Sequence, residues 1–214
     1  DPLAEQVSLI RTLIYLPSRQ ESFFGKNAID QYFERGMEGR FFQSVKKLLP
    51  NSEFTGTSVF GIHMNVEALV AKFLIELKTR IENEIGSLDG IPVSMGRPAR
   101  YSLDPEREAL AVTRFLKAID LAGFKNVTLV DEPTAAAMSG TSAFTEPKDL
   151  ILVCDLGGGT SDFTVFKNLP ANKSGPKIEV LSVYGVPIAG DSLDSDFFRN
   201  HLNPYFGSEI RYQR

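Results

Sequence analysis

The sequence predicts an α/β fold with a mixed sheet, on three observations. Apolar residues recur at helical spacing in several segments, most clearly over 66–81, and these alternate with short apolar runs of strand length. One stretch, LILVCDLGGGTSDFTVFK at 150–167, reads as strand, glycine turn, strand, so at least one pair is antiparallel and the sheet cannot be all parallel. With 43% hydrophobic and 23% charged residues in 214, the chain has ample material for a core.

Taken in order, residues 1–10 are weakly patterned. Thr12–Leu16 is a β-favouring run closed by Pro17 and Ser18, and a helix is expected from Asn27 to about Arg35. Phe41, Phe42, Val45, Leu48 and Leu49 are spaced for a second short helix stopped by Pro50, and the polar, glycine-bearing 51–61 reads as a loop or linker. Val66, Leu69, Val70, Phe73, Leu74, Leu77 and Ile81 form one apolar stripe, with Asn65 as N-cap and Gly86 as stop. Residues 91–102 read as a strand running into a loop. Asp104, Pro105 and Glu106 then open a helix whose buried face is Ala111, Phe115, Ala118, Ile119 and Ala122, ended by Gly123.

Val127–Val130 is a strand that delivers Asp131 and Glu132 at its tip, with Pro133 starting a small helix; 144–149 reads as a loop. Leu150–Leu156 has the composition of a strand buried on both faces, which makes Cys154 a buried structural thiol. NLPANKSGPK at 168–177 reads as a surface loop and Ile178–Tyr184 as a strand. VPIAGDSLDSDFF at 186–198 is a second glycine turn leading into a helix with Leu193, Phe197 and Leu202 on its apolar face.

Several function classes are disfavoured. A net charge of −4 argues against nucleic acid or an anionic membrane as the main partner. No apolar run approaches the roughly 20 residues needed to span a bilayer. The start, DPLAEQVSLIR, lacks the pattern of a signal peptide, and a single cysteine forms no internal disulfide, so a cytoplasmic location is expected. There is no G-x-x-x-x-G-K-[ST] and no G-x-G-x-x-G; His63 and His201 have no partner at metal spacing, and no nucleophile elbow is present.

The chemistry the residues offer is anion binding. Glycines let the backbone adopt positive φ and come close to a ligand, so successive N–H groups at 157–159 can converge on a phosphate. Three glycines alone make only a permissive hairpin turn. The acid before them, Asp155, and Thr160 and Asp162 after them point to a phosphate site with a hydrated Mg²⁺ at its rim. Glu132 and Asp155 end two strands, as metal-assisted phosphoryl transfer requires, although unrelated acids at loop edges would read the same way.

Three ordered segments, VTLVDEPTAAAMSG, VCDLGGGTSDFTVF and IAGDSLDSDFF, together resemble the ATPase domain of the DnaK-type 70-kDa heat-shock chaperones. GKNAIDQYFERGMEGRFFQSVKKLLP and SMGRPARYS look closest to the YegD-like branch. The resemblance implies an actin-like ATPase, ribonuclease H-like fold of two lobes, with ATP/ADP and Mg²⁺ as ligands and with unfolded client proteins and co-chaperones as partners of the longer protein. It implies that Asp155 coordinates Mg²⁺ through water, with Asp162 beside the metal shell. Gly157, Gly158, Gly159 and Thr160 would contact phosphate, Glu132 would serve metal and attacking water, and Gly190 and Asp191 would form a further turn near the phosphates.

The departures from the family are equally specific. No first phosphate hairpin precedes Asp1 and no late adenosine motif follows, so an internal segment with an incomplete second lobe is expected. Residues 1–60 would be the peripheral subdomain of lobe I, 61–147 its core, 148–190 the start of the lobe II core and 191–214 the start of its outer subdomain. Ile29 stands where the family carries a catalytic lysine, with Lys26 three residues away, and Gly96 stands in place of a threonine. The implied function is ATP binding and hydrolysis for a chaperone, weak or inactive as this segment. The alternatives are a non-hydrolysing nucleotide-sensing or scaffold protein on the same fold, or an actin-like filament protein.

Overall fold

The structure, a computed structural model, describes residues 10–140, 150–172 and 175–207. The loop expected at 144–149 lies outside the described residues. The chain divides into two compact units, Asp1–Met95 with Asp104–Thr128, and Gly96–Leu103 with Leu129–Arg214. The architecture is mixed α/β with four separate sheets among the described residues.

In the first unit, β1 (Leu13–Leu16) is the centre of a sheet ordered β2-β1-β3, flanked by β2 (Phe23–Phe24) and β3 (Arg40–Gln43), both antiparallel to it. Ile14, Tyr15 and Leu16 are buried, and the Tyr15 ring lies 5.2 Å from that of Tyr32 and 6.1 Å from that of Phe23. Tyr32 is carried by α1 (Lys26–Glu34), the helix expected there. The second short helix expected around Phe41 is a strand instead. Phe41 and Phe42 pair with Tyr15 and Ile14, and only Val45–Leu48 turns helical, as a 3₁₀ turn entered through left-handed Ser44. Aromatic residues favour the pleated surface when a partner strand is present, and the local spacing could not reveal that partner.

The expected loop over 51–61 contains a strand as well. β4 (Gly56–Val59) pairs with β5 (Ile62–Asn65) across Phe60 and Gly61, both at positive φ as a tight hairpin requires. Arg19 Nε donates to the Phe60 carbonyl at 2.8 Å and fastens this turn. α2 (Val66–Ile85) follows directly, its first turn capped by Asn65 Oδ1 accepting from Ala68 N at 2.8 Å. The apolar stripe is buried from Val66 to Leu74, whereas Ile81 is exposed. α3 (Pro105–Leu121) packs on α2 and is capped by Asp104, which accepts from the N–H groups of Glu106 and Arg107.

Two strands, β6 (Val93–Arg97) and β7 (Val127–Asp131), pair with each other and carry the chain from the first unit into the second. The second unit is organised on an antiparallel sheet ordered β10-β9-β8, made of β8 (Leu150–Leu156), β9 (Ser161–Asn172) and β10 (Gly175–Val186). The supposed surface loop 168–177 is largely strand, because β9 and β10 extend toward each other as one long hairpin.

α4 (Glu132–Gly140) packs on this sheet, and Ile151, Val153 and Phe166 form the apolar core. Burial of β8 is therefore on one face only. Leu150 and Leu156 are each 69% exposed, and Cys154, expected to be buried, is exposed with them. Its period-2 neighbours follow the same side, which the continuous apolar run had concealed. α5 (Gly190–Phe197) forms where expected, but Leu193 and Phe197, and Leu202 beyond its end, are exposed.

Candidate functional site

β8 and β9 place the glycine turn at the end of their hairpin. Asp155 and Asp162 are paired across it, as are Leu156 and Ser161, and Gly157 N donates to Thr160 O at 3.0 Å. The turn differs from expectation in one respect. None of Gly157, Gly158 and Gly159 is at positive φ. A side chain would be crowded here: a Cβ on Gly158 would stand 3.2 Å from Asp191 Oδ1, and one on Gly157 3.3 Å from the Thr160 carbonyl.

The second glycine turn is joined to the first. Gly190 N donates to Gly157 O at 3.1 Å and Asp191 N to Gly158 O at 2.9 Å, while the Ser161 hydroxyl donates to Ile188 O at 2.7 Å. The segments 157–161 and 188–191, distant in sequence, thus form one cradle. Among the described backbone hydrogen bonds, the N–H groups of Gly158, Gly159 and Thr160 serve as donors in none. Successive N–H groups at a turn can form a concavity suited to an anion.

Acids ring this cradle. Asp162 is 1% exposed and accepts from Ala99 N at 3.1 Å and from the Thr160 hydroxyl. Burial raises its pKa above the ordinary value, and the nearby charges of Glu132 and Asp155 push in the same direction. Glu132, at the first position of α4, and Asp155, at the end of β8, are thus brought to the same acid. A Cβ on Gly96 would lie 3.2 Å from Glu132 Cγ, so the position that carries glycine in place of the expected threonine faces this acid.

A metal ion would have few direct ligands. Among the described residues no group of three or more His, Cys, Asp or Glu side chains is disposed to hold one. Mg²⁺ keeps several of its waters and is bound by one or two carboxylates beside phosphate oxygens, so a site for it needs no such group. Asp155, at the end of β8, is half-buried and so open to such a contact. Asp162, turned inward to Ala99, does not present its carboxylate to solvent.

A family model described as Hsp70 protein matches residues 21–205. The chain belongs to the Hsp70 family. It is similar to heat shock 70 kDa protein 13 of Rattus norvegicus, 26% identical over 92% of this chain and 35% of the relative. It is also similar to a chaperone protein HscA homolog of Pseudoalteromonas atlantica, 33% identical over 75% of this chain and 23% of the relative. With chaperone protein DnaK of Thermoplasma volcanium the identity is 28% over 83% of this chain and 27% of the relative. This Hsp70 chain therefore spans about a quarter to a third of the length of these relatives.

Within the Hsp70 chain, some site neighbours escaped sequence reasoning. Gly185, opposite Asp162 in β10, has no room for a Cβ, which would fall 2.5 Å from Asp162 Oδ1. A lone glycine inside a strand pattern was the available signal. Arg97 pairs with Asp131 at 3.0 Å, and the Arg100 guanidinium lies 5.9 Å from the Tyr184 ring centre. Neither pair was foreseeable, because both join segments about 30 or more residues apart. The two positions where the expected lysine was sought lie in the first unit. Ile29 is half-buried on α1, and Lys26 pairs with Asp30 at 3.4 Å. Among the described residues, no helix is long and apolar enough to cross a membrane.

Proposed function

We propose that this chain is the phosphate-gripping part of an Hsp70-type chaperone ATPase, binding ATP and ADP between two glycine turns. The observation that carries the reading is the pair of backbone hydrogen bonds joining Gly157 and Gly158 to Gly190 and Asp191, with the N–H groups of 158–160 beside them donating in none of the described backbone hydrogen bonds. In this reading Gly158, Gly159 and Thr160 donate to phosphate oxygens, and Asp155 holds Mg²⁺ through water. When bound, Mg²⁺ neutralises charge on the phosphates. Glu132 orients the attacking water, and Asp191 fixes the cradle from its far side.

The lobes, the assignment of 1–60, 61–147, 148–190 and 191–214 to their parts, the kinship with the YegD-like branch and the cytoplasmic setting belong to the same proposal. So do client proteins and co-chaperones, which are partners of the longer protein. Gly96 against Glu132 and the Lys26–Asp30 pair favour a second reading, in which nucleotide is bound and sensed with little hydrolysis.

The test is calorimetric titration of the chain with MgADP and MgATP, with Asp155→Ala beside it. Weak binding that falls by about tenfold or more in the variant, about 1.4 kcal/mol, is expected. Equal binding by the variant would overturn the site assignment. Binding without turnover would select the sensing reading.

A further inference from the structure

Among the described residues, Asp162 is the most buried acid of the second unit, and its partners come from segments remote from one another. One oxygen accepts from Ala99 N at 3.1 Å, 63 positions earlier in the chain. The Thr160 hydroxyl of the glycine turn donates to the same carboxylate. Asp162 Oδ1 lies against the Gly185 backbone so closely that a Cβ there would come within 2.5 Å, and within 3.2 Å of Arg100 N. Four segments therefore meet at one side chain: the turn, the β9 strand, the Pro98–Arg100 stretch and β10.

A carboxylate with 1% exposure has little room for the water shell of a hydrated cation, and two of its acceptor positions are taken by Ala99 N and the Thr160 hydroxyl. We propose that Asp162 is a positioning residue, a latch that ties the Thr160 side of the phosphate turn to the Ala99 backbone, and that Gly185 is the residue that makes room for it. Latched in this way, the Thr160 side of the turn is held in place, and a disturbance at either end is transmitted to the other through a single hydrogen-bonded group. The link to phosphate rests on the function proposed above; the latch does not.

Two measurements on the 214-residue chain test it. Amide hydrogen exchange of Ala99, followed by NMR, reads the latch without nucleotide. Protection is expected to fall about tenfold or more in Asp162→Ala and in Gly185→Ala, and to stay within about threefold in Asp162→Asn, which keeps an acceptor oxygen. Unchanged protection in Asp162→Ala, or equal loss in Asp162→Asn, would overturn the proposal.

The second measurement is ADP affinity with Mg²⁺ and with a chelator. A latch predicts that Asp162→Asn retains parental affinity in both conditions. If Asp162→Asn loses affinity only when Mg²⁺ is present, the carboxylate serves the cation and the latch role is wrong. If the parental chain binds no ADP, the proposed function fails, and Ala99 exchange still decides the latch.

Discussion

Burial holds the Asp162 carboxyl above its usual 3.8, with Glu132 and Asp155 adding repulsion, so the folded chain takes up a proton there more readily than the unfolded chain does. The sign follows from linkage. The contribution of the protonated group is full below 3.8 and is lost as pH rises through the raised folded value, so at neutral pH the ionised acid weighs against the fold. Asp162→Asn should accordingly melt at a higher temperature than the parent at pH 7, with the gap closing as pH falls toward 3.8; a constant gap would count against this. Thr164, two residues on, is fully buried, and its hydroxyl has no hydrogen-bond partner among the described residues. Replacing it with the isosteric valine should stabilise the chain by about 1 kcal/mol, read by thermal denaturation. Gly96→Thr would bring a Cβ to 3.2 Å from Glu132 Cγ. If Glu132 orients the attacking water, that change should alter turnover while leaving ADP affinity nearly untouched.

At the scale of elements, the ends of helices are fixed by particular side chains. Glu82 Oε1 takes Lys78 Nζ at 2.6 Å and Leu88 N at 3.1 Å, closing the last turn of α2 onto the chain that leaves it. These bonds hold its pKa below the usual 4.5, so their contribution is present above that value and is lost as pH falls through the folded one. Glu82→Gln should flatten this part of the acid limb of a pH–stability curve. Arg114 is buried, and its Nη1 donates to the carbonyls of Leu48, Leu49 and Asn51. Arg114→Met should cost about 1–3 kcal/mol in urea denaturation, because buried carbonyls are left without a donor.

The helices α2 and α3 were legible in the sequence, caps included, because their stripes and stop signals are local. Strands β3 and β4 were not. Each depends on a partner strand, β1 or β5, and a short run of Phe-Phe or Gly-Thr-Ser-Val does not name one. The glycine turn was legible as a turn with acids around it, whereas the Asp162–Ala99–Gly185 meeting point was not, since it joins segments far apart in the chain.

For the molecule as a whole, one face of the β8–β10 sheet has α4 and the other shows Leu150, Leu152 and Leu156 to solvent. A patch of that kind should bind an apolar dye, and Leu152→Ser should lower the fluorescence without changing Asp155-dependent nucleotide binding. Equal fluorescence in the variant would place the dye elsewhere. The continuous apolar run at 150–156 had pointed to burial on both faces, since periodicity cannot say which layers surround a strand.

The joint between the two glycine turns has a different kind of consequence. Beside the bond from the Ser161 hydroxyl to Ile188 O, it consists of two bonds between main-chain groups, Gly190 N to Gly157 O and Asp191 N to Gly158 O. A scan that exchanges side chains therefore leaves both bonds in place, and tolerance to substitution at 190 would say nothing of their importance. Proline is the informative residue. Position 190 opens α5 after an extended Ala189, where a helix accepts proline, so Gly190→Pro deletes one strut of the joint while sparing the helix that it begins.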